Sequence, residues 1–251
     1  MVAARCRWII GDTGGVSRQG SRGNGEVCKE EEEEEEEAVQ QMRGVSSSEN
    51  GETAHHIAEE KADLEFLPLT AERWGDFEEL FGEHGAYSGC WCMWWRITRA
   101  RFEKQLGEEN RLAMKAIVAS GEIPGILAYY RGRAVGWCSV APRENFATLE
   151  RSRKLRRVDD RPVWSVVCFY VAPGYRRRGL MRPLLEAAVA YARENGAEIV
   201  EGYPVDVPDR LTGSSGYIGL KPVFRAVGFK EVARPSESQS IMRYFISRPP
   251  G

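Results

Sequence analysis

Residues 63–251 predict a mixed α/β domain with helices on both faces of one central sheet, and three stretches carry that prediction. "PVWSVVCFYV" (162–171) is almost continuously apolar, as a strand buried on both faces must be. A glycine-containing turn and the amphipathic "LMRPLLEAAVAYARENGAE" follow it, then the apolar "EIVEGY", which together read as a parallel β–α–β unit. "GILAYYRGRAVGWCSVAPR" (125–143) is two β runs around "RGR", a hairpin with Gly132 at its turn.

The remaining elements follow in chain order. "DLEFLPLT" (63–70) alternates around Leu64 and Phe66 as a first strand ending near Pro68, and Thr70 can cap the helix after it. In "AERWGDFEELFGEHG" Trp74, Phe77, Leu80 and Phe81 recur at helical spacing, with Gly85 as the stop. A second helical region, 99–121, breaks near Gly107 and stops at Gly121. The charged "ENFATLERSRKLRRVDD" (144–160) reads as a helical insert. The helix within 180–198 begins near Gly179, keeps Pro183 inside its first turn and ends before Gly196. A short helix at "LKPVFRAVG" and the strands "FKEVA" and "SIMRYFISR" complete the domain.

Residues 1–62 read differently. They lack apolar periodicity, are rich in Gly, Ser and Arg, and carry an unbroken acidic run from Glu30 to Glu37, which predicts a disordered low-complexity extension. The chain's net charge of −2 conceals this asymmetry: residues 1–62 hold 7 Lys and Arg against 14 Asp and Glu, leaving 28 and 23 for residues 63–251. A surplus of about five cations suits a small polyanionic ligand better than a nucleic acid, so no nucleic-acid partner is expected. The basic run "RSRKLRR" (151–157) reads as a solvated face. Six irregularly spaced cysteines with no hydrophobic signal ahead of them fit a reduced, cytoplasmic protein. No apolar run approaches the ~18 residues of a membrane span, so no membrane partner is expected either.

The segment "FYVAPGYRRRGLMRPLLEAA" (169–188) carries the chemistry. A strand that ends in a glycine-containing turn and hands over to a helix presents unpaired helix-terminal amides along the positive end of the helix dipole, an anion site. Three arginines add planar donors suited to phosphate, and Gly179 allows close approach to the backbone. Neither GxxxxGK[ST] nor GxGxxG is present, so ATP and NAD are poorly matched. Arg176, Gly179 and Met181 stand at the three defining positions of [Q/R]-x-x-G-x-[G/A], and with Val171-Ala172-Pro173, Leu184-Leu185 and the later "FRAVGF" they resemble the GNAT family of N-acetyltransferases. Met181 departs from the family's small residue at that position.

The resemblance covers about Asp63 to Ile246 and implies a GNAT-like acyl-CoA N-acyltransferase fold with splayed central strands, and acetyl-CoA as co-substrate without a metal. It implies further that main-chain groups of Phe169 and Val171, around Tyr170, bond the pantetheine arm, and that Arg176, Arg177, Arg178, Gly179, Leu180 and Met181 hold the diphosphate. The family often takes its acid from a Tyr four residues before the Gly of "GF", but that position here is Phe224. Glu201 and Tyr203, on one face of their strand by alternation, and Tyr217 are the substitutes: Glu201 as a base through water, Tyr203 or Tyr217 as the acid. For each, a plain structural role stands beside the catalytic one. "SGCWCMWWR" (88–96) lies where the family commonly lines the acceptor pocket, and its three indoles are either a lid on the core or an aromatic wall. A lone CxC lacks the ligands of a zinc site, and Cys168, inside a buried strand, reads as inert. The expected partners are acetyl-CoA and a small amine, with a homodimer open. A non-catalytic acyl-CoA sensor is the alternative function.

Overall fold

The computed structural model describes residues 7–10, 16–19, 63–206 and 217–246. The predicted extension, 1–62, lies outside the described residues except for β1 (Arg7–Ile10) and β2 (Val16–Gln19), an antiparallel pair that the sequence does not announce. Residues Asp63–Gly251 form a separate compact unit. Its strands are β3 (Leu64–Pro68), β4 (Gly125–Tyr130), β5 (Arg133–Pro142), β6 (Trp164–Val171), β7 (Ile199–Gly202), β8 (Lys230–Ser236) and β9 (Gln239–Phe245). They form one sheet in the order β3-β4-β5-β6-β7-β9-β8, antiparallel except for β6 beside β7. The mixed α/β fold with the expected β–α–β unit is therefore present.

Helices cover both faces. On one face α1 (Trp74–Phe81), α2 (Arg99–Lys104) and α3 (Glu108–Ala119) bury Phe77, Phe81, Phe102 and Met114 against Leu127, Tyr129, Trp137 and Tyr170 of the sheet. On the other, α5 (Met181–Glu194) and α6 (Lys221–Val227) bury Leu184, Leu185, Ala188 and Phe224 against Ile126, Ala128, Cys138 and Phe169. The alternation of strand side chains separates the two sets. The β4–β5 hairpin closes through Arg131 (φ 50°) and Gly132 (φ 77°), with Tyr130 paired to Arg133, a two-residue turn whose twist matches its strands.

Several boundaries differ from the sequence reading. Helix α1 stops at Phe81 because Gly82 leaves helical space at φ 60°, so Gly85 is not its terminator. Thr70 makes no side-chain cap; its hydroxyl accepts a hydrogen bond from Arg73 Nη1 at 3.1 Å. The charged insert is helical only in its first residues, as a 3-10 turn (Arg143–Asn145) and the short α4 (Ala147–Glu150). Consecutive basic residues repel at helical spacing, and the backbone bonds elsewhere: the carbonyl of Leu155 accepts from buried Arg143 Nη2 at 2.6 Å. Helix α5 begins at Met181, two residues past Gly179.

Helix α6 is fixed to the sheet by charge and by close approach. Buried Lys221 Nζ lies 2.7 Å from Asp206 and 2.6 Å from Glu231. Arg234 first, then Lys221 and Ser240, hold the Glu231 carboxyl down at about 2. An unfolded glutamate titrates near 4.3, so this contribution is full above that value and is lost as pH falls through the folded one. Glu231→Gln should therefore lower stability to denaturant at pH 7, and the gap to the parent protein should close between about pH 5 and pH 2. Gly202 touches the Phe224 ring so closely that an added Cβ would sit 2.1 Å from Cε1. Gly202→Ala should cost about 1–3 kcal/mol, as overpacking does, read as a lower urea midpoint at unchanged m.

Candidate active site

The site begins with one extra residue in the middle strand. Ser139 of β5 faces Cys168, but Val140 faces Val166, so Val167 is a bulge in β6. A bulge bends its strand and increases the local twist. At the same level the parallel pairing with β7 ends: Trp164, Ser165 and Val166 face Val200, Glu201 and Gly202, and no pairing continues beyond them. Among the described residues the outer edge of β6 is thus unpaired by any strand from Val167 to Val171. Ala172 donates its N–H to Val135 O on the β5 side at 3.0 Å. Alternation then directs the N–H and C=O of Phe169 and Val171 to the open edge. Arg176 Nε donates to the Val171 carbonyl at 3.1 Å, in keeping with that direction. Tyr170 turns its ring to the other sheet face, against Phe81 at 5.4 Å.

The open edge leads directly into the arginine loop. Arg177 (φ 63°) and Gly179 (φ 77°) both adopt left-handed backbone, turning the chain twice before α5. A Cβ built on Gly179 meets nothing within 4 Å, so this backbone faces open space. The amides of Gly179, Leu180 and Met181 have no main-chain acceptor among the described residues, and they lie at the positive end of a 14-residue helix. Arg176, Arg177 and Arg178 are exposed, with the Arg178 guanidinium 5.4 Å from the Tyr175 ring. The Met181 side chain packs partly into the core beside α5, so the sixth motif position contributes its backbone and not a small side chain to the loop.

Glu201 and Tyr203 lie together as alternation predicts, but inside the protein. Both are fully buried. Glu201 Oε1 accepts from Arg143 Nη1 at 2.8 Å and from the Tyr203 hydroxyl at 2.7 Å, and Oε2 accepts from Arg243 Nε at 2.7 Å. Arg143 also reaches Glu150 at 2.6 Å, and Arg243 reaches Asp159 at 2.6 Å. The water-relayed base expected at Glu201 does not fit this geometry, because both carboxylate oxygens are committed to neutralising buried guanidiniums. Burial and the adjacent Glu201 push the Tyr203 phenol well above its usual range, and Ser165 Oγ and Arg143 fill the rest of its hydrogen-bonding capacity.

Tyr217 is placed differently. Its ring is half-buried, parallel to Tyr170 at 6.4 Å and 5.5 Å from Tyr87. Burial pushes its hydroxyl up to about 12, with Arg176 pulling the other way. Phe224, at the position of the family's usual tyrosine, is fully buried with its ring edge-on to Phe169.

The "SGCWCMWWR" stretch joins this region through Tyr87, but its indoles diverge. Trp91 is buried and parallel to Phe81 at 5.7 Å, Trp94 meets Phe102 edge-on at 5.0 Å, and Trp95 packs beside Phe146 and Leu149. They are core lids and not one aromatic wall. Four non-glycine residues here hold positive φ: Ala86 (67°), Ser88 (47°), Trp91 (43°) and Cys92 (59°). Sequence reasoning misses this strain, as it misses the thiol pair beneath: Cys92 Sγ accepts from Trp137 Nε1 at 3.1 Å, and the neighbouring Cys168 lowers the Cys92 thiol against its burial. Among the described residues no cluster of three metal-ligating side chains occurs, and no helix is long and apolar enough to cross a membrane.

Residues 89–208 match the model of the acetyltransferase (GNAT) family. Among solved structures, PaiA N-acetyltransferase from Thermoplasma acidophilum in complex with coenzyme A is 16% identical over 73% of this chain and 99% of that chain, at a TM-score of 0.42. YncA, a putative acetyltransferase from Salmonella typhimurium with acetyl-CoA, is 14% identical over 75% of this chain and 97% of that chain, also at 0.42. A GNAT-family acetyltransferase from Streptococcus agalactiae is 9% identical over 74% and 96%, at 0.46. No curated protein matches the sequence significantly.

The ion cluster should reveal itself in stability. Glu201→Gln removes the charge opposing Arg143 and Arg243 and should cost about 3–5 kcal/mol, whereas Tyr203→Phe, which removes one hydroxyl, should cost about 1–3 kcal/mol. Equilibrium unfolding of both variants checks the order.

Proposed function

We propose that the domain is an acetyl-CoA-dependent N-acetyltransferase of the cytoplasm that passes an acetyl group to the amine of a small acceptor by direct attack in a ternary complex. The observation that carries this reading is the open edge of β6 beyond Val166, continuous with the amide-rich loop 176–181. Main-chain groups of Phe169 and Val171 suit the amides of a pantetheine arm, as an added strand would. The amides of Gly179, Leu180 and Met181, with the charge of Arg176, Arg177 and Arg178, suit a diphosphate. Acetyl-CoA supplies a thioester already activated for transfer, so the chain's task is to align it and to hold a proton for the departing thiolate.

Tyr217 is the residue we assign to that proton. Burial keeps its hydroxyl protonated, its ring stacks on Tyr170 of β6, and the proton it gives to the thiolate is replaced by the one the attacking nitrogen loses as the amide forms. Glu201 and Tyr203, bonded to Arg143 and Arg243 inside the protein, serve the frame and not the reaction. With both oxygens of Glu201 bound to arginines, the acceptor amine enters already neutral, so rates should rise with pH toward the amine's own pKa.

A second reading, a non-catalytic acyl-CoA sensor, is favoured by Phe224, which stands buried and without a proton where the family often keeps its acid. Thiol release from acetyl-CoA across a panel of amines separates the two: turnover with any amine supports the enzyme, and CoA binding with no turnover over the whole panel supports the sensor. Gly179→Val should weaken CoA binding at least tenfold by calorimetry, with a small change in unfolding midpoint; unchanged affinity contradicts the loop's role. Tyr217→Phe should lower kcat by about 10²–10⁴ with CoA affinity retained.

A further inference from the structure

Five cationic side chains, Arg153, Lys154, Arg156, Arg157 and Arg234, rim a groove of about 220 Å³ between the turn after α4 and strand β8. Val158, Ala233, Pro235 and Ile241 form its apolar floor. Two of the cations already have anionic partners: Arg157 pairs with Glu150 at 2.9 Å, and Arg234 pairs with Asp206 at 3.0 Å and with Glu231 at 3.2 Å. Arg153, Lys154 and Arg156 have no carboxylate partner among the described residues, although they crowd one short turn. Like charges held this close raise the local potential and attract a counter-anion.

The turn is held in place from below. Leu155, in the middle of the run, is buried with Phe146 and Leu149. Its N–H is bonded by Ser152 Oγ at 3.0 Å, and its carbonyl by buried Arg143 Nη2 at 2.6 Å. The Arg156 guanidinium donates back to the Arg153 carbonyl at 3.1 Å. A loose solvated face needs no such anchoring, and here the same ion cluster that neutralises Glu201 fixes where the charges stand.

We propose that this groove is a binding site for a compact polyanion of condensed-phosphate type, separate from the loop 176–181. The volume, about 220 Å³, is below the several hundred Å³ of a whole cofactor site, so the groove takes the phosphate chain and not a larger molecule's body. No aromatic ring lines it, so it has no platform for stacking bases as single-stranded nucleic acids require. In an extended acidic peptide, carboxylates on one face repeat every ~7 Å, so only one or two would reach a groove of this size. A triphosphate chain concentrates its charge within that span, and guanidinium forks match its oxygens.

Calorimetric titration of inorganic tripolyphosphate into the full-length chain, without metal and at low salt, tests the proposal. With saturating CoA present to occupy the loop 176–181, we expect one site whose affinity falls steeply with salt and drops at least tenfold in the triple variant Arg153→Ala/Lys154→Ala/Arg156→Ala. All three residues are exposed, so this variant should keep the parent's unfolding midpoint. No binding at low salt to the CoA-saturated protein, or affinity retained in the triple variant, would each overturn it. Tighter binding by a hexaglutamate peptide or a twelve-nucleotide DNA strand than by tripolyphosphate would overturn the ligand class.

Discussion

The bulge at Val167 is the constraint on which the site depends. One residue more than β5 can match sits in β6, immediately after Val166, the last residue of β6 that pairs with β7. A sheet that stayed zipped would satisfy the polar groups of Phe169 and Val171 internally, and nothing would be left for a ligand to bond. By ending the parallel pairing after three residue pairs, the fold leaves two strand residues with their hydrogen-bonding groups at an edge in the middle of a seven-stranded sheet. Polar backbone inside a protein requires partners, and a cleft of this kind is where an extended ligand with amides of its own becomes the natural partner. The arginine loop then extends the same edge toward an anion.

What holds the parted strands in register is electrostatic. Glu201, on β7 one residue before the last paired level, is the hub to which Arg143 from the end of β5 and Arg243 from β9 converge. Each guanidinium has a second carboxylate, Glu150 or Asp159, from the segment that folds over this face. Such clusters are costly to desolvate and costly to break, and this one joins strands on both sides of the cleft to the covering segment. The residues that look most catalytic by type and alternation are here part of the frame, and the proton donor we propose, Tyr217, is a half-buried tyrosine outside that cluster.

How far the sequence could be read follows from what kind of signal each feature leaves. The strands around 125–142 and 164–171, the hairpin turn and helix α5 were legible because their periodicity, glycine placement and apolar runs are local. The loop 176–181 was legible for the same reason, and Met181 was tolerable because its backbone, not its side chain, belongs to the loop. The insert after Asn145 was not: its backbone is organised by Arg143 and Arg243, whose contacts span up to 84 positions, and no local pattern records that. Glu201 and Tyr203 were placed correctly on one face, but alternation does not say whether that face meets a cleft or a buried arginine. The left-handed turns of Ala86, Ser88, Trp91 and Cys92 leave no mark either, since such residues adopt that backbone only where packing imposes it.

The charged turn of 153–157 and the arginine loop after β6 show two ways of placing positive charge. One relies on helix-end amides and on glycine, so its geometry is main-chain. The other relies on side chains pinned by a buried leucine and a buried arginine. Both are anion sites by construction, but only the first adjoins the open strand edge, and acyl transfer is assigned to it for that reason. Amide hydrogen exchange with and without CoA tests this assignment most directly. The account predicts slowed exchange at Phe169, Val171, Gly179, Leu180 and Met181 when CoA is bound; CoA binding that leaves those amides unchanged and protects another part of the chain would contradict it.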